Sequence, residues 1–190
     1  MTYKIDPDFL ARICGEVIDL PLESGEMFSS VIEKISAEYP DIIENRQRRW
    51  IGTKAGGILG KLSFLYVGFT EYLLIFGSPV GTQGFSGRYN FMEIYKFVLA
   101  GKITTYDLES DQIAPTILSP GSRSCLKKGQ SLGLNIQAGS WHIEYGRGPN
   151  ITAMPFGLME TLVSSVELKS LMLTTSEYTG FILKGLIGRP

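Results

Sequence analysis

Phe64-Leu65-Tyr66-Val67-Gly68-Phe69-Thr70-Glu71-Tyr72-Leu73-Leu74-Ile75-Phe76 is apolar on both sets of alternate positions. Phe64, Tyr66, Tyr72, Leu74 and Phe76 make one parity, and Leu65, Val67, Phe69, Leu73 and Ile75 make the other. Aromatic and branched residues in short runs, on both parities, predict strands buried on both faces rather than a helix with one wet side. This texture begins at about Ile58. From Ile58 to Val80 it is broken by Lys61 and Glu71, so it does not supply the roughly 20 predominantly apolar residues of a membrane-spanning helix.

Toward the N-terminus the period changes to that of a helix. Asp6 followed by Pro7 reads as an N-cap and a first helical residue, and Phe9, Ile13, Val17 and Leu20 then recur at helical spacing. A second helix begins near Ser24 or Gly25 with Phe28, Val31, Ile32, Ile35 and Tyr39 on one face, and Pro40 closes it. Met1 to Glu26 carries charges throughout and has no sustained apolar core, so no secretory signal is read there. Arg46, Arg48 and Arg49 read as a solvated helix end ahead of Trp50.

Toward the C-terminus, Gly77, Pro79, Gly81, Gly84 and Gly87 mark a turn region. It lacks the Gly-Lys-Ser/Thr ending of a phosphate loop and the spacing of a dinucleotide fingerprint. Turn signals at Ser119-Pro120-Gly121, Lys128-Gly129 and Ala138-Gly139 then separate short strands, as in a small barrel or jelly roll. After Pro149 the helical period returns, with Phe156, Met159, Leu162, Val163 and Val166, then Leu171, Met172, Tyr178, Phe181, Ile182 and Leu186. Two helices this apolar must close one end of the barrel, rest on a bilayer surface or pack on another subunit, and apolar content does not choose among these.

The chain has 190 residues, 44% of them hydrophobic, which suffices for one well-formed core. We read a single domain over 1–190: N-terminal helices to 50, a β-barrel over 51–148 and C-terminal helices over 149–190. With 18 basic and 19 acidic side chains it lacks the electrostatic footprint of a nucleic-acid binder. Cys14 and Cys125 match no metal or redox spacing and read as free thiols; the single histidine, His142, excludes multi-histidine metal sites. No metal and no cofactor is expected. Asn150-Ile151-Thr152 has the form of a glycosylation sequon but comes without a secretory signal.

One run carries chemistry. Trp141-His142-Ile143-Glu144-Tyr145-Gly146-Arg147-Gly148 reads as a buried strand with one carboxylate on its wall. Burial by itself raises a carboxyl pKa, by roughly 3 to 5 units at the extreme, and would make Glu144 a proton donor near neutral pH. In a regular strand His142 shares its face, as a packed or hydrogen-bonded residue rather than a catalyst.

This octapeptide resembles the sigma-1 receptor and fungal C-8 sterol isomerase family. So do Asp6-Pro7-Asp8, Ala55-Gly56-Gly57, Glu71 to Gly77, Gly84 to Tyr89, Pro120-Gly121, Leu126 to Gly129 and Pro155-Phe156-Gly157, all in the same order. The resemblance implies an α+β fold. It consists of a small cupin-like antiparallel β-barrel around a hydrophobic ligand, with N-terminal helices and two C-terminal capping helices beside a membrane. It implies Glu144 as the carboxylate at the pocket centre and Tyr72 as the phenol bonded to it. The apolar lining would be Leu62, Phe64, Leu74, Phe76, Tyr89, Ile94, Leu134, Ile136, Ala153, Met154, Gly157 and Tyr178. Peripheral membrane contact through the C-terminal helices and trimerisation also follow from the resemblance alone. The family's N-terminal anchor is not in this sequence, so the location implied is cytoplasmic or peripheral at the endoplasmic reticulum.

Two positions depart from the family pattern. Phe85 stands where the family has a histidine, and its second pocket acid aligns with Lys96, or with Tyr95 if a one-residue insertion is placed differently. Glu93 matches another family acid nearby. Shifting an isolated alkene needs an acid and a base, a task for two carboxyl groups with separated pKa values. With Lys96 beside it, Glu144 would stay a carboxylate and act as a base, and Lys96 would donate or stabilise charge. The sequence therefore implies a cofactor-independent isomerase or cyclase of secondary metabolism, acting on a terpenoid, sterol-like or polyketide-like substrate. The alternatives are a non-catalytic binder of hydrophobic or cationic amphiphilic ligands, and a C-8 sterol isomerase proper. On this view Glu144→Gln would leave the melting temperature unchanged or higher.

Overall fold

The computed structural model describes residues 2–20, 23–43, 48–111, 113–153, 160 and 168–187. Helix α1 (Pro7–Ile18) starts where expected: Asp6 is the N-cap, and its carboxylate accepts from the Asp8 N–H at 2.9 Å. Helix α2 spans Ser24–Glu38, with Glu26 reaching back to the Glu23 N–H at 3.4 Å. Six strands form one antiparallel sheet in the order β1 (Ile51–Ala55), β2 (Ile58–Val67), β3 (Glu71–Ser78), β10 (Ser140–Arg147), β5 (Glu93–Ala100) and β8 (Arg123–Leu126). A second antiparallel sheet has the order β4 (Thr82–Phe85), β9 (Leu132–Ile136), β6 (Ile103–Asp107) and β7 (Thr116–Leu118). Helix α3 spans Leu168–Ile187.

The architecture is α+β, and its two antiparallel sheets face each other without closing into a continuous barrel. Arg48 to Trp50 lead into β1 without regular structure, and Arg46 lies outside the described residues. The first of the two expected C-terminal helices falls largely on residues outside those described.

Parity explains the layers. Leu73 and Ile75 of β3, Tyr95, Phe97 and Leu99 of β5, and Ile143 and Tyr145 of β10 point to one side of the large sheet. There they pack under Leu10, Ile13, Val17, Val31 and Ile35 of the two N-terminal helices. Leu74 and Phe76 point the other way, toward the small sheet and α3. Strand β2 follows the alternation only as far as Leu65. A bulge between Phe64 and Tyr66 shifts the register, so Tyr66 joins the helix side and Val67 packs with Leu62, Phe64 and Phe181. Strict alternation had assigned both to the opposite sides. Phe69 lies in the turn after β2 and is 61% exposed.

Glu71 interrupts the apolar run for a structural reason. Its side chain is buried, accepts the backbone N–H groups of Lys4 at 2.8 Å and Ile5 at 3.3 Å, and takes the Tyr145 hydroxyl at 2.8 Å. It fastens the N-terminal segment to the end of β3. Glu71→Ala leaves the Lys4 and Ile5 N–H groups without their acceptor, while the Tyr145 hydroxyl retains the Ile5 carbonyl at 3.0 Å, and is expected to cost on the order of 2 to 4 kcal/mol. Thermal unfolding should show a loss of roughly 5 to 15 °C, with faster proteolysis ahead of α1; an unchanged transition would contradict this role.

Candidate functional site

Between the sheets and under α3 lies a cavity of about 210 Å³. Its walls are mostly apolar: Leu62, Phe64, Leu74, Phe76, Leu134 and Ile136 from the strands, and Leu171 from α3. Tyr89, Ala153 and Tyr178 also line it. Ile94 does not. It is buried beside Gly146 and Leu126 on the same face of the large sheet as Lys96, outside the cavity lining. Met154 and Gly157 lie outside the described residues. Thr53, Ala55, Ile58, Phe85, Ser86, His142, Asn150 and Thr174 complete the wall, and none had been singled out as lining.

The polar centre is built on two neighbouring strands. Lys96 of β5 and Glu144 of β10 are register partners, so both side chains leave the sheet on its cavity face. Lys96 Nζ lies 3.5 Å from Glu144 Oε2, and the two side chains are 12% and 19% exposed. Tyr72 approaches from β3 and donates its hydroxyl to Glu144 Oε1 at 2.8 Å. It crosses the face of β10 over Gly146, where an added Cβ would collide with its ring. A glycine is required there by close packing rather than by backbone angle.

His142 shares the face of Glu144, as a regular strand requires. It is buried, lines the cavity and places Nε2 3.6 Å from Glu144 Oε2. Tyr95 points into the helix-side core, so Lys96 is the residue that occupies the cavity face. Glu93 is engaged by Arg147 at 2.8 Å and does not line the cavity. Asn150 is buried and donates its amide to the carbonyls of Gly68 and Glu71, at 2.5 and 2.7 Å; an engaged, buried amide is no acceptor for a glycan.

Charge decides the chemistry of Glu144. Burial is the largest single influence and pushes its pKa up. The Lys96 ammonium, the His142 ring and the Tyr72 hydroxyl together outweigh it and hold the carboxyl down, from 4.5 to about 2. Glu144 is thus ionised at neutral pH, not the proton donor that burial alone would make it. The same burial drives Tyr72 well above the usual phenol value, assisted by the Glu144 charge, and pushes His142 below the usual imidazole value. The Cys14 thiol, buried under the helices, is pushed up to about 12 and stays inert. Among the described residues, no three His, Cys, Asp or Glu side chains gather as a metal site requires, and no helix is long and apolar enough to cross a membrane.

The chain is 30% identical over 186 residues to the sigma non-opioid intracellular receptor 1 of Gallus gallus, covering 97% of this chain and 80% of that protein. It is 27% identical over 174 residues to the C-8 sterol isomerase erg2 of Aspergillus fumigatus, covering 91% and 72%. Among solved structures, KdgF from a Halomonas species overlaps 56% of this chain and 94% of its own at 13% identity, with a TM-score of 0.46. A family model described as ERG2 and Sigma1 receptor like protein matches residues 1–189, and the chain belongs to that family.

Proposed function

We propose that the cavity binds a compact hydrophobic small molecule, terpenoid, sterol-like or polyketide-like, and isomerises or cyclises it by proton transfer. Glu144 is the base, Lys96 stabilises negative charge that develops on the substrate, and Tyr72 orients the carboxylate. The observation that carries this reading is an ionised carboxylate at the polar end of an apolar cavity, 3.5 Å from a fixed cation. A base so placed can remove a proton made acidic by a neighbouring oxygen, provided the cation lowers the energy of the resulting anion.

The same geometry argues against alkene protonation of the kind a C-8 sterol isomerase name implies. A carboxyl held down to about 2 carries no proton to give at neutral pH, and Tyr72 is an even weaker acid than free tyrosine. The cavity volume also lies below the roughly 300 to 1,000 Å³ of drug-sized sites, which favours a small substrate. A non-catalytic ligand-binding role is the second reading. It is supported by the weak basicity of so stabilised a carboxylate, and by a family that holds a protein named as a receptor.

Incubating the purified protein with hydrophobic metabolite extract in deuterium oxide separates the two. Mass spectrometry should find a compound that gains solvent deuterium and changes retention time. Capture of a compound that returns unaltered and without deuterium would overturn the catalytic reading in favour of the binding one.

A further inference from the structure

Resting on the reading that the cavity takes a small hydrophobic molecule, we infer that this molecule is a neutral carbonyl compound whose oxygen is held by His142 and Lys96. His142 is 1% exposed and faces the cavity, yet among the described residues neither ring nitrogen has a hydrogen-bond partner. Buried polar groups are almost always satisfied, so an imidazole left open on a cavity wall points to a group that arrives with the ligand. The 3.6 Å separation from Glu144 Oε2 lies just beyond hydrogen-bond length, so the carboxylate draws on that nitrogen without satisfying it.

Lys96 supplies the second donor. Its ammonium has three N–H groups, of which Glu144 Oε2 takes at most one. Among the described residues, His142 and Lys96 therefore flank one oxygen of Glu144 and keep N–H groups without a full hydrogen bond at the same end of an otherwise apolar space.

The charges select the ligand's own charge. Lys96 already balances Glu144, and burial keeps His142 neutral. A ligand ammonium would have to displace Lys96 or lie against it, and a ligand carboxylate would lie against Glu144. A neutral acceptor meets neither penalty. A carbonyl oxygen offers two lone pairs to two donors and brings no hydrogen that needs an acceptor of its own. Its α-hydrogens would then lie beside Glu144, the base of the proposed proton transfer.

A matched set on one bicyclic frame tests this: trans-2-decalone, decahydro-2-naphthol, decahydro-2-naphthylamine and decalin. Because His142 is the single histidine of the chain, selective ¹⁵N-histidine labelling yields one imidazole to observe. The ketone is expected to bind about tenfold or more tightly than decalin or the amine, as one or two hydrogen bonds would give. It should also bind more tightly than the alcohol and move the imidazole ¹⁵N resonances. His142→Phe should collapse the ketone-to-decalin ratio, and His142→Gln, which keeps a donor, should restore part of it. Equal binding of ketone and decalin, an amine preference, or a ratio untouched in His142→Phe would overturn the carbonyl assignment alone. Failure of all four to bind would overturn the ligand cavity with it.

Discussion

Lys96→Met should destabilise the fold by about 3 to 5 kcal/mol at pH 7, the usual consequence of stripping one member from a buried ion pair. The carboxylate it leaves behind is 19% exposed, and that exposure is to a cavity walled by leucine, isoleucine and phenylalanine. Tyr72 still donates one hydrogen bond, but burial holds the His142 ring below its usual pKa, so it offsets less of the charge than the ammonium did. Burial then dominates, and the Glu144 pKa moves above its ordinary value. The sign of the pH dependence follows. In the natural protein the depressed pKa adds stability that is complete above the unfolded value of about 4.5 and is lost as pH falls through about 2. With the pKa raised, the variant instead loses stability as pH climbs past the unfolded value. The gap between the two proteins should be widest at pH 7 and close toward pH 2. Chemical denaturation at several pH values measures it, and a gap independent of pH would mean that Lys96 acts by packing alone. Replacing both members, as in Lys96→Met with Glu144→Leu, should recover much of the loss.

Glu144→Gln should abolish turnover, by about 10² to 10⁴-fold, since an amide accepts the Tyr72 hydroxyl but takes no proton. Solvent deuterium should no longer enter the substrate. The melting temperature should fall as well, reversing the expectation drawn from burial alone. A carboxylate that burial merely disfavoured would be relieved by neutralisation. Here the carboxyl is held down to about 2 by Lys96 and its neighbours, so the charge stabilises the fold on the order of 3 kcal/mol at pH 7. Its loss should lower the melting temperature by roughly 6 to 12 °C. Retained deuterium incorporation would remove Glu144 from the proton transfer. A raised melting temperature would show that the pair with Lys96 does not offset the cost of burying it.

Much of the architecture follows from local residue order. The Asp6-Pro7 helix start, the change to strand texture at Ile58, the turns at the glycines and the side-by-side placement of His142 and Glu144 each depend on near neighbours in the chain. Backbone capping and the two-residue pleat operate over a few residues, so they are legible in a linear sequence. The pairing of Tyr72 with Glu144 was implied by family resemblance, and no local rule would yield a contact across 72 positions. What the tertiary structure alone decided is of longer range. The bulge in β2, which exchanges the sides of Tyr66 and Val67, arises from pairing with β3. His142 is left with both ring nitrogens buried and unpartnered among the described residues by the packing of the walls around it. The sign of the Glu144 shift is the plainest case. The residues themselves allow either a raised or a lowered pKa, because burial and a neighbouring cation act in opposite directions, and only the 3.5 Å approach of Lys96 across the β5–β10 register determines which prevails.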